Sequence, residues 1–284
     1  MNDHPDLARD WPVYARFRSL FAGRDLLVCE FHCDGQARPW FPELTQYGEL
    51  DLPREGAHLR ALGRQRHVID PATAAFSAAE EEYSRSSPTS KPQTSTLIVT
   101  RGALASTLIP RDAARAHRIS AEVATLHLRL LRAPDPVAVE ETALAIVGRI
   151  FESAKKGTGG APKVRAPLPS WRRLAEEIQH VIAIRFAERL TLEKIAALCK
   201  TSPFHASRVF RAVTGETIHR HLTRVRLRIA LFELRHGAGR LTDIALSAGF
   251  SSHSHFTSSF RTEFGLAPSC LMGSHTLWKG AASG

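Results

Sequence analysis

Two runs in the second half of the chain gather polar side chains, with one aromatic, at helical spacing. Phe204, Ser207, Arg208 and Arg211 form the first set; His253, Ser254, Thr257, Ser258 and Arg261 form the second. At 3.6 residues per turn each set falls on one helix face. The opposite face is apolar: Ala206, Val209, Phe210 and Val213 in one run, Phe256, Phe260 and Phe264 in the other. An arginine fork matches the two acceptors on the major-groove edge of guanine, and hydroxyls bond several bases. The chemistry on offer is hydrogen-bonded recognition of base edges.

The elements that must position these residues repeat. Thr191 to Gly215 (TLEKIAALCKTSPFHASRVFRAVTG) is answered by Leu241 to Gly265 (LTDIALSAGFSSHSHFTSSFRTEFG), with Ser202, Phe210, Arg211 and Gly215 matching Ser252, Phe260, Arg261 and Gly265. The second copy carries one extra residue in its turn, placed at Gly249. Each copy predicts a short helix, a tight turn and a capped second helix. Ser202 and Ser252 stand at the N-cap, Pro203 at the first helical position, and Gly215 and Gly265 just past the end, where a left-handed residue is needed. This is the pattern of a helix-turn-helix, whose second helix enters the major groove of DNA. Between the copies, Ile218, Leu222, Val225, Ile229 and Phe232 mark one face of a long helix. Arg220, Arg224 and Arg228 form a stripe elsewhere on it, either facing phosphates or solvated.

These residues resemble the DNA-binding domain of the AraC/XylS family of bacterial transcriptional regulators. The carrying motifs are Leu192 to Ala196, SPFHASRVFR (Ser202 to Arg211), HLTRVRLRIAL (His221 to Leu231), DIALSAGFSSHSHFTSSFRTEFG (Asp243 to Gly265) and Pro268. The resemblance implies that Phe204, Ser207 and Arg208 form the first reading set and His253, Ser254, Thr257 and Ser258 the second. It also implies a regulator, more often an activator, that works on promoter or operator DNA and with RNA polymerase. Two positions depart from the family. Ser258 stands where a long polar residue is common, which implies weaker reading by the second helix. Ser269, Cys270 and Leu271 follow Pro268 where an aromatic is usual.

The first half reads differently. Leu26–Cys33, Gln46–Leu52, His58–Leu62, His67–Ile69 and Thr96–Thr100 are β-prone runs separated by Gly, Pro and Asp, a spacing that predicts an antiparallel sandwich or barrel. Two helices follow, the first from Ile119 and the second from Pro136 to about Glu152. Strands then helices is the order of the cupin-like sensing and dimerisation domain of such regulators, and Leu52 to Ser84 resembles a run found in a subgroup of them. The expected fold class is α+β: a cupin-like antiparallel β barrel with trailing helices, then two helix-turn-helix units joined by a long helix. Expected bounds are 1–152 for the sensing domain, 153–170 for a flexible linker rich in Gly, Pro, Ser and Lys, 171–273 for the DNA-binding domain and 274–284 for a tail. A small-molecule effector and a homodimer are expectations of the same resemblance.

Charge divides at the same place. Of the formal +10, residues 1–152 carry 18 Lys+Arg against 20 Asp+Glu, a net of −2, and residues 153–284 carry 20 against 8, a net of +12. A polyanion-binding half is implied. A non-specific nucleic-acid binder is the alternative the charge alone allows. No apolar run is long enough to span a bilayer. Met1–Tyr14 begins with acidic residues and lacks an apolar core, so it does not read as a signal peptide, and a cytoplasmic protein without membrane partners is expected.

Other chemistry-bearing residues assemble less well. Cys29, His32 and Cys33 offer soft ligands for zinc or copper, but on a strand Cys29 and Cys33 face one side and His32 the other. No metal ligand, cofactor or catalytic residue is assigned. A metal-dependent cupin enzyme fused to the DNA-binding domain would need a His and Glu cluster, whereas His58 and His67 are separated. A fused DNA-repair domain would need a Pro-Cys-His-Arg nucleophile, and none of the four cysteines sits in one. Glu80–Glu82 reads as a solvated loop, and Trp40 and Phe41 as core or pocket lining.

Overall fold

Alternating side chains make the strands, and the chain weaves them into two sheets. In a computed structural model, residues 15–35, 37–63, 65–87, 91–102, 104, 116–158, 168–234 and 240–272 are described. The tail 274–284, the first fourteen residues and 159–167 of the expected linker lie outside them. The strands are β1 (Ala15–Ala22), β2 (Leu26–Cys33), β3 (Arg38–Thr45), β4 (Gly48–Glu55), β5 (His58–Leu62), β6 (Gln65–Ile69), β7 (Thr73–Ser77), β8 (Glu81–Ser87), β9 (Gln93–Thr100) and β10 (Ala116–Arg118). One sheet has the order β1-β2-β9-β4-β7-β10, the other β3-β8-β5-β6, and neighbours are antiparallel. From β2 to β9 the chain crosses between sheets at every connection except the β5–β6 hairpin. That is the eight-stranded double-sheet jelly roll, the architecture of cupins, as the sequence leads one to expect.

The helices are α1 (Ala121–Leu131), α2 (Pro136–Thr158), α3 (Pro169–Arg185), α4 (Leu192–Leu198), α5 (Pro203–Thr214), α6 (Ile218–Glu233), α7 (Leu241–Ser247) and α8 (His253–Phe264), with a 3₁₀ turn at Pro268–Leu271. Two expectations change here. Helix α2 continues past Glu152 to Thr158, six residues into the expected linker. Ser153, Ala154, Lys155 and Lys156 include good helix formers, and nothing stops the helix before the glycines at 157, 159 and 160. Glu81 and Glu82 open β8 and do not lie in a loop. Only Glu80 turns the chain, at φ +57°, and Glu81 accepts a hydrogen bond from the Ala78 amide at 3.1 Å.

One face of the larger sheet (Leu26, Val28, Leu50, Leu52, Phe76, Ile98) packs on α1 and α2, and the same apolar cluster runs on into α6, α7 and α8. A second cluster joins α3, α4, α5 and α6 to Ala72 of the jelly roll. Each large apolar side chain buried this way contributes roughly 1.5–3 kcal/mol. The helical half therefore shares its core with the β half.

Candidate nucleic-acid interface

Caps place the two candidate reading helices. Ser202 accepts the His205 amide and Ser252 the His255 amide, each at 3.2 Å, and Gly215 and Gly265 close the helices at φ +76° and +74°. Helices α4 and α7 end alike, with Lys200 and Gly249 both left-handed and with the Thr201 and Phe250 amides reaching back to the Ala196 and Ala245 carbonyls at 2.9 Å. Gly249 is thus the partner of Lys200. The extra residue of the second copy is Ser251, between that closure and the Ser252 cap. A glycine is required at 249, because a Cβ there would lie 2.6 Å from the Phe186 carbonyl oxygen in a left-handed backbone.

The faces separate as the spacing predicts. Ala206, Val209, Phe210, Phe256 and Phe260 are buried, with Val213 and Phe264 half-buried. On α5, Phe204 (77% exposed), Arg208 and Arg211 are exposed and Ser207 is half-buried. On α8, His253, Ser254, Ser258 and Arg261 are exposed, while Thr257 is half-buried and its Oγ1 has no hydrogen-bond partner among the described residues. The Arg208 guanidinium lies 5.3 Å from the Trp171 ring centroid and 6.0 Å from that of Phe204. Stacking of this kind holds a guanidinium without using up its donors.

The joining helix α6 corrects one expectation. Arg220 is exposed, but Arg224 (6%) and Arg228 (1%) are buried, neither facing phosphates nor solvated. Their partners lie in the turn before α6, in α8 and just before α1. Arg224 Nη1 donates to Glu216 Oε2 at 2.6 Å. Arg228 Nη2 donates to Glu263 Oε1 at 2.9 Å and to the Ile119 carbonyl at 3.1 Å. Burial pushes the Arg228 pKa down to about 10, against the pull of Glu263. Beside them His221 bridges Asp70 of the jelly roll (Nε2 to Oδ2, 3.1 Å) and Glu216 (Nδ1 to Oε1, 3.1 Å). Arg118 of β10 adds a hydrogen bond to the Thr214 carbonyl at 2.9 Å and an ion pair with Glu216 at 3.3 Å. Arg132, at the end of α1, caps the Leu234 and Leu271 carbonyls at 2.7 and 2.9 Å. Arg226 ties the end of α3 to α6 through the Phe186 and Glu188 carbonyls, both at 2.8 Å. These bonds fix both helix-turn-helix units against each other and against the β half.

The jelly-roll interior holds a group of buried polar side chains of which the sequence reading singled out only His58. Glu49 and Asp51 of β4, His58 and Arg60 of β5, and Tyr83 and Arg85 of β8 are all buried. Arg60 lies 3.6 Å from the Tyr83 ring centroid and bonds Ser77, while Arg85 donates to Gln93 at 3.1 Å. Burial pushes the Glu49 carboxyl up to about 7, against the pull of Arg60. The signal was present as two-residue alternation of polar types, which also describes a solvent-facing strand. A cavity beside Phe31, Phe41, Glu43 and Arg85 has a volume of about 10 Å³. Cys29 and Cys33 are buried on the inner face with Phe31, and His32 is exposed on the other. Trp40 is exposed, with Arg66 4.9 Å from its ring centroid. No described helix is long and apolar enough to cross a membrane.

Residues 195–273 match a family described as helix-turn-helix domain. The HTH-type transcriptional activator RhaS of Klebsiella pneumoniae is 40% identical over 83 residues, 29% of this chain and 30% of that protein. The RhaS of Escherichia fergusonii is 39% identical over 94 residues, 32% of this chain and 34% of that protein. The bifunctional transcriptional activator/DNA repair enzyme AdaA of Bacillus subtilis is 32% identical over 91 residues, 32% of this chain and 43% of that protein. The chain thus spans about a third of the length of the curated relatives it matches. Among solved structures, ToxT from Vibrio cholerae with unsaturated fatty acid bound aligns over 88% of this chain and 95% of its own at 11% identity and a TM-score of 0.37. The C-terminal domain of AraT, a response regulator from Geobacillus stearothermophilus, aligns over 42% of this chain and 98% of its own at 25% identity and a TM-score of 0.33.

Proposed function

We propose that this chain, which carries a helix-turn-helix domain of the AraC/XylS type over residues 195–273, is a sequence-specific DNA-binding transcriptional regulator. The observation that carries the reading is the pair of capped helices α5 and α8, each turning its arginine- and hydroxyl-bearing face outward while its apolar face is buried. Phe204, Ser207, Arg208 and Arg211 meet one stretch of major groove; His253, Ser254, Thr257, Ser258 and Arg261 meet a second. The domain of 171–273 grips DNA, 1–152 senses or dimerises, and the chain works in the cytoplasm as an activator that engages RNA polymerase. The relatives named as activators support that sign. We assign no enzymatic step. A cysteine nucleophile works as the thiolate, whereas burial pushes the Cys29 thiol well above its usual range and that of Cys199 up to about 11.

Selection of bound fragments from a random DNA pool by the full chain tests the reading. The expected result is one enriched sequence, with each mismatch costing roughly 1–3 kcal/mol. A non-specific binder would show steep salt dependence and no enriched sequence, and that outcome overturns the proposal.

A further inference from the structure

Between the jelly roll and the first helix-turn-helix unit lies a cleft of about 810 Å³. It is bounded by β6, β7 and β10 on one side and by α3, the end of α5 and the start of α6 on the other. Among the described residues, five arginines line it against two glutamates, Glu176 and Glu216, with apolar floor from Val68, Ala72 and Ala175. The cations stand in two groups. Arg66 and Arg172 lie near Glu176, and Arg118 lies near Arg224 beside Glu216. Glu216 pairs with Arg224 and Arg118 and also bonds His221, whereas at the other group Glu176, with Glu177 near it, faces three guanidiniums. The imidazole of His67 also lines the cleft, with Nε2 buried and without a hydrogen-bond partner among the described residues. Burial, helped by the charges of Arg60 and Arg172, holds that ring below its ordinary pKa, so it is a neutral hydrogen-bonding group.

We propose that this cleft binds a small dianion, a dicarboxylate or a phosphomonoester, held by Arg66, Arg172 and His67 of the first group and by Arg118 of the second, and that the bound anion sets how the first helix-turn-helix unit sits on the jelly roll. Two cationic groups separated by an apolar floor match a molecule with two anionic oxygens clusters or one doubly charged head. Arg118 is the link to the reading helices. It bonds the last turn of α5 at Thr214 and pairs with Glu216, so an anion that draws Arg118 away loosens that contact. The regulatory consequence rests on the reading of the chain as a DNA-binding regulator; the binding itself does not.

Thermal unfolding of the full chain tests it, with succinate and glucose 6-phosphate as probes, glucose as the uncharged control and sodium chloride at matched ionic strength. A dianion present at ten times its Kd should raise Tm by about 2 °C, and glucose should not. The Arg66→Ala/Arg172→Ala double variant should lose the shift, Arg172→Lys should keep most of it, and Glu176→Gln should enlarge it. Absence of a shift with both dianions, or an equal shift in the double variant, overturns the proposal. DNA binding is read separately on a selected sequence, where the dianion should change wild-type affinity at least about 5-fold, the lower end of ordinary allosteric coupling. A dianion that binds without changing DNA affinity overturns the coupling. A chain that selects no DNA sequence overturns the regulator reading and leaves the anion site standing on its own shifts.

Discussion

His221 offers the most quantitative test of how the two halves are joined. It is buried between two carboxylates, Asp70 from the jelly roll and Glu216 from the turn before α6, at 3.1 Å from each. Burial alone would lower its pKa, but the hydrogen bonds and charges of Asp70 and Glu216 outweigh burial and push it up from 6.5 to about 9. Because the folded value lies above the unfolded one, protonated His221 stabilises the fold fully below pH 6.5, and that contribution is lost as the pH rises through about 9. A displacement of this size corresponds to about 3 kcal/mol. Replacing His221 by Ala also removes packing against Phe210, whose ring centroid is 5.6 Å away. That loss does not depend on pH, so the pH-dependent part of the difference isolates the charge. The Tm gap between wild type and His221→Ala, followed by differential scanning calorimetry, should narrow by about 5 °C between about pH 6 and about pH 10. A gap that stays constant over this range would refute the ion-pair account of the joint and leave His221 as a packing residue alone.

Two further outcomes follow from named contacts. Gly249→Ala puts a Cβ 2.6 Å from the Phe186 carbonyl oxygen at φ +84°, so it should destabilise the chain by more than about 1 kcal/mol in urea unfolding, whereas Gly→Ala at an unstrained position stabilises. Arg208→Ala should cost about 1–3 kcal/mol on a selected DNA sequence and relax base preference at one position; an equal loss on scrambled DNA would mean that Arg208 touches only phosphate.

Local rules made the helix-turn-helix units legible. Caps at Ser202 and Ser252, glycines at 215 and 265, and apolar stripes on α5 and α8 act within a few residues of themselves, and α5 and α8 start and stop where these caps and glycines place them. The fate of Arg228 was not legible, because its partners Glu263 and the Ile119 carbonyl are brought to α6 only by the tertiary fold, whereas the partner of Arg224, Glu216, lies in the turn just before α6. Among the strands, β2 and β5 keep their sequence-expected bounds, but β3 carries Pro39 and Pro42, which read as breakers and are tolerated because β3 is an edge strand. Strand β8 begins with acidic residues, and its inward face is Tyr83, Arg85 and Ser87. Polarity on that face signals an interior charge network only once its neighbours are known.

The central claim is that α5 and α8 read DNA together. Guanine-N7 methylation interference on the selected sequence addresses it most directly, since it reports major-groove contacts base by base. Two clusters of interference about 10–10.5 base pairs apart are predicted, one for each helix, with Arg208→Ala erasing positions in only one of them. A single cluster, or weak interference spread evenly along the fragment, would contradict the account.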